Sequence, residues 1–156
     1  MEGKRNFNVF VLSVILTVFF CACGKLELEE GVQINIESSS LYQESEIQSA
    51  IDVCVDYFHT NFVGCTLITI SYDDELCIKK KEEWAYQYGE DEAIILTSTF
   101  DVDENGGDGS FNPNETYTNW LWILTRSDDS NGGEWTLRMW GYYWIWNEER
   151  IYRKRI

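Results

Sequence analysis

Between residues 44 and 62 the apolar side chains recur at helical spacing. Ile47, Ala50, Ile51, Cys54, Val55, Phe58 and Phe62 fall on one stripe, which predicts an amphipathic helix over 44–62 with that stripe in the core. Ser45 is the expected N-cap, with Gln48 three residues on as its reciprocal partner, and Gly64 marks the stop. The β-branched run Cys65–Tyr72 predicts a strand ended by Asp73-Asp74-Glu75. Residues 75–89 carry a weaker pattern, with a short helix expected across Lys79–Tyr88.

Three strands are expected next, at Glu92–Val102, Tyr117–Arg126 and Glu134–Trp146, each β-rich and bounded by turn residues. The linker 103–116 is rich in Gly, Asn and Asp, and Ser127–Gly133 is short enough for a hairpin. The pattern therefore predicts an α+β domain, an antiparallel meander with the N-terminal helix packed on one face. Val32–Ile36 offers a further short edge strand.

Alternation along the last two strands places apolar groups on both faces. Trp140, Tyr142, Trp144 and Trp146 share one face, and Leu137, Met139, Tyr143 and Ile145 the other. Trp120, Trp122 and Leu124 oppose Leu121 and Ile123. Such a sheet is either covered on both sides or exposes an aromatic surface.

Composition narrows the function classes. A chain of 156 residues suits one domain, and its 44% hydrophobic and 15% aromatic content supplies a core. The formal net charge of −15 argues against nucleic-acid binding, which needs a basic footprint. It also disfavours electrostatic docking on an anionic membrane face. Four basic residues, Arg150, Arg153, Lys154 and Arg155, crowd the last seven positions. They read as a solvated tail (148–156) or as a segment that pairs with the acidic body.

The N-terminus adds an export pattern. Lys4 and Arg5 precede the apolar run Phe7–Phe20, too short to span a bilayer and the right length for a signal core. Phe20-Cys21-Ala22-Cys23-Gly24 then resembles the bacterial lipoprotein signal, with small Ala22 before Cys23. Cys21 is the poorer candidate, because bulky Phe20 precedes it. The resemblance implies that residues 1–22 are removed and that Cys23 carries a diacylglycerol anchor and an acyl chain such as palmitate. The protein would then sit on the extracytoplasmic face of the cell membrane. An uncleaved signal anchor is the alternative. Residues 23–43, with Ser38-Ser39-Ser40, would form a flexible tether spanning about 25 Å root-mean-square, ahead of a globular domain over 44–147.

A second resemblance concerns that domain. Tyr57-Phe58 and Asn61-Phe62, Cys65-Thr66-Leu67, Asn114–Trp120, Trp122–Arg126, Trp135 and Gly141-Tyr142 resemble uncharacterised lipoproteins of Gram-positive bacteria. Those are similar to the nuclear-transport-factor-2-like superfamily, which implies a curved antiparallel sheet wrapped as a cone around helices. One fold hosts many functions, so the likeness assigns no activity.

Few constellations carry chemistry. Asp101-Val102-Asp103-Glu104-Asn105-Gly106 matches the opening of a calcium loop, with oxygen ligands at alternate positions and glycine for the turn. Its twelfth position holds Asn112 where a bidentate Glu is expected, so Asp101, Asp103 and Asn105 form either a weak calcium site or a solvated acidic turn. His59 is the single histidine and reads as structural. Asp52, Asp56, Tyr57 and Tyr72 are the proton-transfer candidates that a cone pocket would supply, but their spacing selects none. Cys54, Cys65 and Cys77 contain no C-x-x-C spacing. They allow one disulfide in an exported chain, while Cys54 on the apolar stripe suits a small buried hydrophobe.

The sequence therefore leads to a membrane-anchored, extracytoplasmic α+β domain without a catalytic set, binding a small ligand or a protein. A small enzyme with a cone-shaped pocket is one rival. A glycan-binding module using exposed Trp120 and Trp140 is the other.

Overall fold

The computed structural model describes residues 31–127 and 133–142. It is α+β, with two helices and a five-stranded mixed sheet. The chain runs β1 (Gln33–Ile36), α1 (Glu44–Asn61), β2 (Cys65–Tyr72), α2 (Asp74–Tyr88), β3 (Glu92–Val102), β4 (Thr116–Arg126) and β5 (Thr136–Tyr142). The strands lie in the sheet in chain order. Among the described residues no helix is long and apolar enough to cross a membrane.

Strands β2 to β5 form the expected antiparallel series, but β1 pairs parallel to β2, with Gln33 opposite Thr69 and Ile36 opposite Tyr72. Parallel neighbours need a long crossover, and α1 supplies it. Alternation then turns Ile34 and Ile36 onto the core. The folded part consequently begins before residue 44, inside the segment expected to be tether. Asp74 secures the connection, accepting hydrogen bonds from Tyr72 Oη (2.6 Å), Ser40 Oγ (2.8 Å), Ser39 Oγ (3.1 Å) and the Ser40 N–H.

Helix α1 buries the predicted stripe, Ile47, Ala50, Ile51, Cys54, Val55 and Phe58, with Phe62 buried at its C-cap. Its N-terminus differs from expectation. Gln43, not Ser45, is the N-cap, and its N–H donates to the Glu46 carboxylate at 2.8 Å. Just upstream of that cap, the Leu41 and Tyr42 N–H groups are taken up by Ser39 Oγ (3.0 and 2.9 Å), so the helix is fixed by an incoming chain that no local motif announces.

Helix α2 starts five residues earlier than the pattern suggested. Asp73 is its N-cap, accepting from the Leu76 N–H at 3.0 Å, and Asp74 and Glu75 fill the acidic first turn. The residues that end β2 thus also start α2. Gly89, in left-handed conformation at φ 69°, closes it. Cys77 ties α2 to β3, its Sγ donating to Ile95 O (3.3 Å) and accepting from the Ile95 N–H (3.4 Å).

Three register shifts break the period of two: between Leu67 and Thr69, between Ser98 and Phe100, and between Ile123 and Leu124. Each rephases a strand, as a bulge does. The first brings Leu67 and Ile70, an odd and an even position, into the same core. The second lies where Asn119 takes φ 54° in β4, and it brings the rings of Tyr117 and Trp120 within 5.8 Å. The third sets Leu137 opposite Leu124 and Met139 opposite Ile123, and both pack half-buried against the core. From Trp120 to Arg126 every residue of β4 is buried.

Candidate functional site

Helix α1 runs between two unlike clusters at opposite ends of β4. At its N-terminal end stands Arg126, only 9% exposed. Its Nη2 donates to Glu46 and its Nε to Glu92, both at 2.5 Å, and its guanidinium lies 4.2 Å from the Trp135 ring. Trp135 Nε1 donates to Glu46 O (3.0 Å), and Tyr42 Oη to Ala93 O (2.8 Å). Burial alone would lower the Arg126 pKa, but its hydrogen bonds to Glu46 and Glu92 hold it above its ordinary value. The Gln43 N–H and then Arg126 hold the Glu46 carboxyl below its ordinary value. A cleft of about 710 Å³ opens beside this cluster, between Glu46, Ser49, Val53 and Glu134. Arg126, Glu46 and Trp135, which line it, are already engaged in this network.

At the other end the rings of Phe58 and Phe62 stack at 4.6 Å. Around them stand Phe100 (5.5 Å from Phe58) and Trp122 (5.5 Å from Phe62). The cluster continues outward through Trp120, which stacks on Trp140 at 5.9 Å and 22°. Tyr57 lies 6.1 Å from Trp140, and Tyr142 lies 5.9 Å from Tyr117. Trp140 and Tyr142 point to solvent, 41% and 36% exposed. Trp120 is buried at 7%, so the pair of exposed tryptophans expected for glycan binding reduces to one. Its Nε1–H is buried without a partner, alone in this among the described residues. Trp122 is fully buried too, but its Nε1 donates to Ser98 Oγ at 2.9 Å.

The loop between β3 and β4 rims this cluster. Phe111 reaches Trp120 at 5.8 Å, and the Asn112 N–H donates to Tyr117 Oη at 3.1 Å. Asp103 organises the loop, its Oδ1 accepting from the N–H groups of Asn105 and Gly107, both at 2.9 Å. The Gly107 bond in particular keeps its carboxyl below the ordinary range. Its own N–H donates to Gly64 O at 2.9 Å. Gly64 sits at φ 71°, and a Cβ there would lie 2.7 Å from the Asp103 carboxylate, which explains the glycine.

Of the three calcium candidates, Asp103 and Asn105 meet through the turn, whereas Asp101 accepts from Thr116 Oγ1 across the strands. No group of three or more His, Cys, Asp or Glu suited to a metal occurs among the described residues.

The proton-transfer candidates are scattered. Tyr57 lies among rings, Asp52 accepts from Gln48 on its own helix (2.8 Å), Asp56 is exposed, and Tyr72 is held by Asp74. Burial, then Asp74, raises the Tyr72 pKa above its ordinary value. His59 is exposed. Cys54, Cys65 and Cys77 are free thiols, and burial pushes Cys77 up to about 12. Residues 1–30, including Cys23, the connection 128–132 and the tail 143–156 lie outside the described residues.

Trp135 and Phe111 carried no site expectation: Phe111 lies in a loop, and Trp135, expected at the start of the last strand, instead precedes β5. No protein-family model, curated protein or solved structure matches the chain.

Proposed function

We propose that this protein is an extracytoplasmic lipoprotein anchored through Cys23, and that its folded part is a non-catalytic domain that binds a partner at the aromatic end. The observation that carries the binding reading is the exposed face of β5, where Trp140 and Tyr142 are presented on a buried aromatic base. Single exposed apolar residues are ordinary, but contiguous rings at a sheet edge mark a docking surface. Two clefts among the described residues lie elsewhere, around Arg126 and around Ile36–Tyr42.

The cone-like, nuclear-transport-factor-2-like arrangement belongs to the same proposal. The rings of α1 against β3 and β4, and three register shifts of the kind that bend strands, support it. The anchor rests on Lys4, Arg5, the run Phe7–Phe20 and Ala22-Cys23. With β1 in the sheet, only residues 24–32 separate Cys23 from the fold, a reach of at most about 30 Å.

Two measurements test the reading. Mass spectrometry of membrane-extracted protein should show an N-terminus at Cys23 bearing diacylglycerol, and a Cys23→Ala protein still cleaved at that place would overturn the anchor. A photo-crosslinker at position 140 should give discrete adducts in cells, while one at position 86, where Tyr86 is 90% exposed, should give none. Equal adducts from both positions would overturn the docking surface.

A further inference from the structure

The aromatic end combines exposed rings with acidic residues on the elements that build and rim it. Residues 26–78 contain no Lys or Arg, and neither do residues 82–125. These stretches hold α1, the β3–β4 loop and most of β4, which build and rim the patch. Exposed Asp56 precedes Tyr57 on α1. The loop adds Asp103, Glu104, Asp108 and Glu115, and Glu115 accepts from the Asn112 side chain at 2.6 Å beside Tyr117. The nearest cation in sequence, Arg138 of β5, is already engaged by Glu90 and by the Tyr88 ring.

Resting on the binding reading above, we infer that the partner presents arginine: a cationic segment of another protein whose guanidinium stacks on Trp140 while acidic groups of the rim attract it. Guanidinium is planar, weakly hydrated and always charged, so it satisfies ring and carboxylate together, whereas ammonium does so less well. The fold uses this contact internally, with Arg126 at 4.2 Å over Trp135. The same acidic rim repels an anionic lipid surface, and a neutral glycan would leave the charge unused. Opposite charge also steers encounter, so binding should weaken with salt.

The test is calorimetric titration of the full chain, in neutral detergent, with a short blocked peptide alternating glycine and arginine. The arginine peptide should bind, and raising ionic strength from about 0.05 to about 0.5 M should weaken it about tenfold. Trp140→Ala should weaken it about tenfold as well. Trp140→Leu, which keeps apolar packing and removes the π face, guards against a folding defect and should do the same. The lysine counterpart should bind several-fold more weakly, and a neutral oligosaccharide such as cellohexaose should give no heat. Equal affinity for wild type and both Trp140 variants would overturn the inference, as would tighter binding of cellohexaose. So would a peptide that binds only after Arg150, Arg153, Lys154 and Arg155 are changed to Gln, since the chain's own tail would then be the occupant. Adducts from position 140 without peptide binding would overturn the arginine class alone, whereas loss of those adducts would overturn the docking surface itself.

Discussion

The two ends of α1 solve burial in opposite ways. At the N-terminal end the buried guanidinium pairs with two partly exposed carboxylates and lies over an indole whose N–H donates to the Glu46 carbonyl. At the C-terminal end the core is almost wholly aromatic, holds the unpartnered Trp120 Nε1–H, and continues to solvent through Trp140 and Tyr142. The first end is closed by its own chemistry. The second is apolar enough to fold but keeps the rings of Trp140 and Tyr142 outside.

The largest effect expected from breaking this contrast is at Phe58, 2% exposed between Phe62, Phe100 and Trp122. Phe58→Ala should cost roughly 3–5 kcal/mol in urea unfolding, and a loss below about 1 kcal/mol would mean that the aromatic end does not hold the fold. Arg126→Ala should come next. Removing one partner of a buried ion pair costs about 3–5 kcal/mol, but Glu46 and Glu92 are about one-third exposed and can rehydrate, so about 2–3 kcal/mol is expected. A cost under 1 kcal/mol would show that Trp135 and Tyr42 close that end without the charge.

A finer contrast sets two buried tryptophans against each other. Trp122→Phe removes the donor to Ser98, itself 3% exposed, and should cost about 1–3 kcal/mol through the orphaned hydroxyl and lost volume. Trp120→Phe removes an N–H that has no partner and should cost about 1 kcal/mol or less. Equal losses would mean that ring volume, not hydrogen bonding, distinguishes the two.

The smallest effect is a pH dependence. The folded-state pKa of Glu46 lies below its ordinary value, chiefly through the Gln43 N–H and Arg126. Its contribution is therefore complete above the unfolded carboxylate pKa of about 4.3 and is lost as pH falls toward the folded value. Unfolding free energy measured between pH 7 and pH 3 should drop less steeply in Glu46→Gln than in wild type. Parallel curves would remove Glu46 from the pH response.

Periodicity alone determined the elements that bury one continuous stripe or run. The face of α1 from Ile47 to Phe62 and the strand Glu92–Val102 are legible because spacing of 3.6 or 2 is a local property of the chain. The acidic balance and the aromatic wealth of the last strands are equally matters of sequence. Other features depended on partners distant in the chain. Gln43 caps α1 because Ser39 holds the preceding backbone, and β1 joins β2 because α1 spans the crossover. Arg126 finds Glu46 eighty positions away in the sequence. The register shift beside Asn119 decided most about the candidate surface, since it sets Tyr117 beside Trp120. A period of two cannot report where it is interrupted, because a bulge answers to the neighbouring strand. Which tryptophan faces solvent was therefore decided by pairing and packing in three dimensions, which left Trp140 outside and sealed Trp120 beneath it.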